Sequence, residues 1–146
     1  MKKILALLCT LSCFVFGGCD LSHKHYYNDL GKCNCGSYIA KALTYNSDKE
    51  YVSETHSVTP SETYYYEFTA HGEMGCDFII DNADLEFERI EIRYGGSTYW
   101  VPLSVSGTKM KNCDKTFNTG KKFNLKVTYK TSGEMRLIVR QASAEQ

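Results

Sequence analysis

The chain has no apolar run long enough to cross a membrane, no recognisable catalytic signature and no excess of either charge. Its longest mostly apolar stretch, Ile4 to Phe16, is about 13 residues, whereas a spanning helix needs roughly 20. A transmembrane anchor is therefore not expected. Lys and Arg number 17, and so do Asp and Glu, which offers nothing for a nucleic-acid backbone to attract. Neither G-x-S-x-G nor H-E-x-x-H occurs, so the usual elbow for a serine nucleophile and the two-histidine zinc site are both missing. No long helical pattern is evident, and Trp100 is the only tryptophan.

The N-terminus carries an address. Lys2 and Lys3 precede the apolar run, and Gly17-Gly18 supplies small residues at its end. This pattern predicts a secretory signal peptide over residues 1–18, to be set aside in fold reasoning. Phe16-Gly17-Gly18-Cys19 resembles the lipobox of bacterial lipoproteins, although an aliphatic residue is commoner than Phe at its first position. That resemblance implies that Cys19 is diacylated and becomes the new N-terminus. It implies a lasting membrane anchor in the cell envelope, each buried methylene adding about 0.8 kcal/mol. Asp20 matches the inner-membrane retention signal of enteric lipoproteins, a rule that does not extend to all bacteria, so inner and outer membrane both stay open. The alternative is an ordinary secreted protein cut near Cys19.

Removal of the signal leaves 15 basic and 17 acidic residues. The length suits one domain: residues 19–36 read as the lipidated cysteine and a polar tether, and 37–146 as the folded domain. Charge divides unevenly. Residues 20–105 carry 6 basic and 14 acidic groups, and 106–146 carry 9 basic and 3 acidic. Either the domain has two faces of opposite sign or its two halves complement each other, and the second reading is preferred. Four cysteines remain beyond Cys19: Cys33, Cys35, Cys76 and Cys113. In an exported chain they read as two disulfides. A Cys33–Cys35 ring is disfavoured by disulfide geometry, so each of Cys33 and Cys35 is expected to pair with one of Cys76 and Cys113.

From Glu50 onward the hydrophobic period is two, the signature of strands. Residues 37–45 fit strand or short helix, with strand preferred. Residues 51–58 and 63–70 read as strands, the latter with Tyr64, Tyr66 and Phe68 on one face and Tyr65 on the other. Residues 86–94 and 97–105 flank Gly95-Gly96, a two-residue hairpin signal. In that register Ile92 meets Tyr99, Ile90 meets Val101 and Glu91 meets Trp100, with Pro102 marking an edge strand. Residues 107–120 read as a polar loop. Phe123, Leu125, Val127 and Tyr129 alternate with Lys122, Lys126 and Lys130, and Met135, Leu137 and Val139 follow the same rule. Six to eight short strands predict an all-β fold, a small antiparallel β-sandwich of jelly-roll or immunoglobulin-like type, stapled by disulfides. Residues 64–70 together with the Thr119-Gly120…Asn124–Tyr129 run resemble the small β-sandwich domains at the C-termini of secreted bacterial peptidases, which implies the fold class and no activity.

Five constellations bear on function. Trp100 is placed outward beside Arg89 and Arg93, where an indole stacks on the apolar face of a sugar, with Tyr65 and Phe87 extending the surface; alternatively the two arginines cover the ring by cation–π contact. Lys122, Lys126, Lys130, Arg136 and Arg140 form a basic stripe, suited to an anionic partner or simply to a solvated face. His23, His25, Cys33 and Cys35 have the chemistry of a copper or zinc site, which the oxidising export route opposes, so no metal is expected. Asp77, Asp81, Asp84 and Glu86 lack the spacing of a calcium loop. His56 and His71 suggest no triad. Together these observations predict a non-catalytic, membrane-anchored envelope protein without a cofactor that binds a glycan or a partner protein. The alternatives are a small hydrolase with paired carboxylates and a purely structural envelope protein.

Overall fold

The computed structural model describes residues 24–28, 30–72, 74–94, 96–105 and 107–141; the signal segment, Cys19, Asp20, His23 and the last five residues lie outside them. The strands are β1 (Lys41–Ala42), β2 (Thr44–Tyr45), β3 (Glu50–Val52), β4 (His56–Val58), β5 (Thr63–Thr69), β6 (Met74–Ile80), β7 (Phe87–Tyr94), β8 (Val101–Leu103), β9 (Lys109–Phe117), β10 (Lys122–Tyr129), β11 (Gly133–Met135) and β12 (Leu137–Gln141). No helix occurs among the described residues. One five-stranded sheet runs β1-β5-β10-β7-β8, a second runs β2-β3-β12-β6-β9, and β11 pairs with β4. Every ladder is antiparallel except β1–β5.

Alternation explains which face each strand buries. Tyr64, Tyr66 and Phe68 of β5, Phe123, Leu125, Val127 and Tyr129 of β10, and Ile90 and Ile92 of β7 point to one side of the first sheet. They join Tyr51, Cys76, Phe78, Ile80, Leu137 and Val139 of the second sheet in one apolar cluster. Two antiparallel sheets sharing a core in this way are compatible with a β-sandwich.

Three departures from the sequence reading have physical causes. The region expected to be a polar loop holds the nine-residue β9. Between Met74↔Phe117 and Cys76↔Cys113, β9 advances further than β6, and it does so again before Phe78↔Met110. These bulges break the alternation by which a strand is recognised. Next, β7 and β8 pair Ile90 with Leu103 and Ile92 with Val101, a slip of two residues from the expected register. A slip of two keeps every side chain on its face, but it lengthens the connection and leaves Tyr99 79% exposed instead of packed against Ile92. Pro102 does sit on an edge strand, β8. Finally, Phe87 is buried at 1% exposure and is no part of an outward surface. A bulge between Thr128 and Tyr129 in the β10–β7 ladder leaves both Glu88 and Arg89 exposed and turns Phe87 inward.

Charge asymmetry resolves into complementarity. Lys122 meets Glu67, Lys126 meets Glu91, Lys130 meets Glu86, Arg136 meets Asp81 and Arg140 meets Glu50, at 2.5–2.9 Å. Each cation of the supposed stripe thus pairs with a carboxylate from the acidic half. The five are also divided between β10 in one sheet and the β11–β12 segment beside the other, so they do not form one face.

Under the first sheet, tyrosine hydroxyls form a chain. His56 Nδ1–H donates to the Glu54 carbonyl at 2.9 Å, because a carbonyl only accepts, so Nε2 accepts from the Tyr66 hydroxyl at 2.8 Å. Tyr66 in turn accepts from Tyr129 at 2.9 Å. Burial lowers the His56 pKa below its ordinary 6.5, so the folded state favours the neutral ring this chain requires. The unfolded chain then binds more protons just below pH 6.5, and stability rises with pH there. Urea unfolding is expected to show a lower midpoint at pH 5.5 than at pH 7.5, with the difference reduced in His56→Gln. An unchanged difference would assign the effect to other groups.

Candidate functional site

The outward face of the first sheet assembles in cross-strand rows. One row is Thr63–Thr128–Arg89, the next Tyr65–Lys126–Glu91, and the third Glu67–Asn124–Arg93. Glu91 is buried between Arg89 at 2.8 Å and Lys126 at 2.9 Å, so its charge is compensated twice. Along the first two rows lies an open groove of about 460 Å³, lined by Ser61, Thr63, Glu88, Arg89, Glu91, Lys126 and Thr128. That volume falls in the range of small-ligand sites, roughly 300–1,000 Å³, and its lining is hydroxyl, carboxylate and cation.

An aromatic cluster borders the groove. Continuing the β7–β8 register past Val101 sets Trp100 across from Arg93, whose guanidinium lies 4.7 Å from the centre of the indole. Lys126 Nζ lies 6.0 Å from the same ring. Both cations rise from strands of the sheet, and the indole is left half-buried. Tyr38 stacks on Tyr65 with centroids 3.9 Å apart, and each ring is 6.2 Å from Trp100. Arg93 donates to the Tyr38 hydroxyl; burial pushes that hydroxyl's pKa up, and Arg93 opposes the rise. Among the described residues Arg93 has no carboxylate partner.

Of the predicted surface, Trp100, Tyr65 and Arg93 lie together, with Arg93 over the indole as in the cation–π alternative. Arg89 belongs to the groove through Glu91, and Phe87 belongs to the core. Sequence reasoning missed Tyr38, because a strand-or-helix ambiguity hid its direction, and missed the groove residues Ser61, Thr63 and Thr128, whose hydroxyls look like any solvated strand face.

The cysteines also differ from expectation. Cys33 Sγ lies 3.0 Å from Cys35 Sγ, beyond the roughly 2.05 Å of a bond, and Cys76 is the ladder partner of Cys113. The expected clamps from Cys33 and Cys35 to Cys76 and Cys113 are not what the fold places together, because the β6–β9 ladder brings Cys76 to Cys113. Nor is residues 24–36 a plain tether. Tyr27 bridges Cys33 and Lys32 bridges Tyr38, and the Asn28 carboxamide oxygen accepts from the amides of Leu30 and Lys32.

On this small loop Cys35 is exposed, its sulfur 3.3 Å from Ser37 Oγ and 3.1 Å from His25 Nδ1. Hydrogen bonds to its thiolate, from the Ser37 hydroxyl first and then Cys33, lower its pKa from 9.0 to about 5. In the reduced chain, alkylation of Cys35 by iodoacetamide, followed by peptide mass spectrometry, is therefore expected to stay near its full rate from pH 9 down to about pH 6. A rate that drops tenfold per unit throughout that interval would show an ordinary thiol.

The acidic candidates do not converge. Asp81 accepts from the Arg136 backbone and side chain at 2.7 and 2.8 Å, and Glu86 accepts from Lys130 at 2.8 Å. His71 N–H donates to the Tyr51 hydroxyl at 2.8 Å, and its Nδ1 lies 3.3 Å from the same oxygen. Both His56 and His71 are thus engaged by tyrosines. Fold and surface together define an all-β protein with a polar, aromatic-edged groove on one sheet. No family model matches the chain, and no curated protein or solved structure matches it either.

Proposed function

We propose that this chain is a non-catalytic, lipid-anchored protein of the bacterial cell envelope that binds a glycan on the outward face of the β1-β5-β10-β7-β8 sheet. The observation that carries the reading is the union of a polar groove of about 460 Å³ with an indole, the two sharing Lys126. Sugars need both elements. Their hydroxyls take up donors and acceptors such as Thr63, Thr128, Glu88 and Arg89, while their C–H faces stack on an aromatic ring, here the half-buried Trp100 at the groove's edge. Titration of envelope polysaccharide fragments by calorimetry is expected to give binding that Trp100→Ala weakens about tenfold, or about 1.4 kcal/mol. Raising salt from 50 to 300 mM should change it little if the sugar is neutral. Undiminished affinity in Trp100→Ala would remove this surface from the account.

A second reading, a protein partner, is favoured by the exposure of Tyr99 at 79% and Tyr26 at 78%, since tyrosines are enriched in interfaces. A complex of that kind would weaken with salt where charges steer it. The hydrolase reading has less support, because Glu50, Glu67, Asp81, Glu86 and Glu91 all sit in ion pairs. The finer fold assignment, a jelly-roll or immunoglobulin-like sandwich stapled by disulfides, belongs to the same proposal. The anchor rests on Cys19: Cys19→Ala is expected to release the protein from the membrane, and continued membrane residence with normal processing would contradict lipidation.

A further inference from the structure

Outside the groove, one cluster of side chains has its own chemistry. The nitrogen of His25 and the sulfurs of Cys33 and Cys35 lie within 4.8 Å of one another, the only such group of three metal-ligating side chains among the described residues. Their meeting follows from backbone pairing. The antiparallel bridge Tyr27↔Cys33 holds the two segments side by side, and the turn at residues 34–35 brings the Cys35 sulfur back to 3.1 Å from His25 Nδ1 and 3.0 Å from Cys33 Sγ. The loop that presents them is tightly built. Cys33 N–H donates to the Ser37 carbonyl at 2.8 Å, and Gly36 N–H to the Cys33 carbonyl at 2.9 Å. Gly31 has φ +72°, and a Cβ there would stand 2.7 Å from the Ile39 carbonyl oxygen, so glycine is required where the segment folds back.

We propose that His25 Nδ1, Cys33 Sγ and Cys35 Sγ bind one thiophilic d¹⁰ cation, of the copper(I) or zinc(II) class. Imidazole with two thiolates is a donor set that excludes magnesium and calcium, which take oxygen ligands. Metal–sulfur bonds of about 2.3 Å in a tetrahedral site place two sulfurs roughly 3.7 Å apart. The sulfurs stand at 3.0 Å, so they part by about 0.7 Å on binding, a movement that the exposed Cys35 makes by side-chain rotation. Cys33, by contrast, is buried at the base of the loop. Three protein ligands leave one coordination position open to solvent at an exposed loop, the arrangement of a site that exchanges its ion, whereas structural zinc sites close all four. This inference does not depend on glycan binding.

The test uses the full chain in detergent under anaerobic reducing conditions, with cobalt(II) as the spectroscopic probe and copper(I) and zinc(II) as competitors. One equivalent of cobalt is expected to give a sulfur-to-metal charge-transfer band, which either competitor displaces and which protects Cys35 from iodoacetamide. Cys35→Ser and Cys33→Ser are each expected to weaken binding at least about tenfold and to reduce the band, and His25→Ala to shift its ligand-field part. A band unaltered in Cys35→Ser and His25→Ala would assign the metal to other cysteines and overturn the proposal. So would the absence of any band, with Cys33 and Cys35 recovered as a disulfide under the same conditions. Gly31→Ala, which leaves all three ligands in place, is expected to weaken binding by disturbing the loop, while the far-ultraviolet spectrum of the sheets is retained. Full binding by that variant would separate the metal from this loop.

Discussion

Phe87→Ala is expected to lower the unfolding free energy by about 3–5 kcal/mol and to leave the proposed glycan affinity unchanged in the fraction that remains folded. The ring is buried at 1% exposure and stacks at 6.0 Å on Tyr129, itself fully buried. Truncation removes its contacts and leaves a void between β7 and β10 that close-packed neighbours cannot fill. Against a typical stability of about 5–15 kcal/mol, that is a large share. Tyr65→Ala and Trp100→Ala, on a half-exposed face, are expected to cost about 1 kcal/mol each and to act on binding. Equilibrium denaturation of the three variants checks the contrast. A Phe87→Ala protein of normal stability and poor affinity would return that ring to the surface.

Tyr66→Phe is expected to cost about 2–4 kcal/mol, and Tyr129→Phe only about 1 kcal/mol, although each removes one oxygen. Tyr66 stands in the middle of the chain from Tyr129 to His56. Without its hydroxyl, the buried Tyr129 O–H has lost its acceptor and His56 Nε2 has lost its donor. Without the Tyr129 hydroxyl, Tyr66 still donates to His56, and only a lone pair goes unused. The asymmetry follows from the penalty for stranding a buried polar group, which exceeds the net worth of the bond itself. Burial also raises the pKa of both tyrosines, so the hydroxyls keep their protons across the physiological range. Equal losses in the two variants would indicate that the chain of hydrogen bonds is not what holds these rings.

The strands were legible wherever alternation was regular. β5 and β10 bury the tyrosines, phenylalanines and aliphatics that period two assigns inward, and the acidic and basic halves complement each other as charge arithmetic suggested. Bulges were not legible. They inverted Phe87 in β7 and concealed β9, because one added residue reverses the in–out pattern without leaving a compositional mark. Gly95-Gly96 pointed to a hairpin, yet glycine permits several turns and does not choose among loop lengths, so the pairing slipped by two. Trp100 kept its outward face through that slip, and its partner changed from Glu91 to Arg93. The His25–Cys33–Cys35 group was visible as chemistry in the sequence. What the sequence withheld was the bridge at Tyr27 that folds the segment into a loop.

The most direct test of the proposed glycan-binding surface uses the one tryptophan as its own reporter. Acrylamide quenching of Trp100 emission should show intermediate accessibility in the free protein, for a ring resting on Arg93 and Lys126. Saturating polysaccharide fragment should shift the emission to the blue and lower the quenching constant, as the accessible part of the indole is covered. Emission that is blue and protected from the start, with no response to any fragment, would mean that the indole is sealed on both sides and that this face binds no sugar.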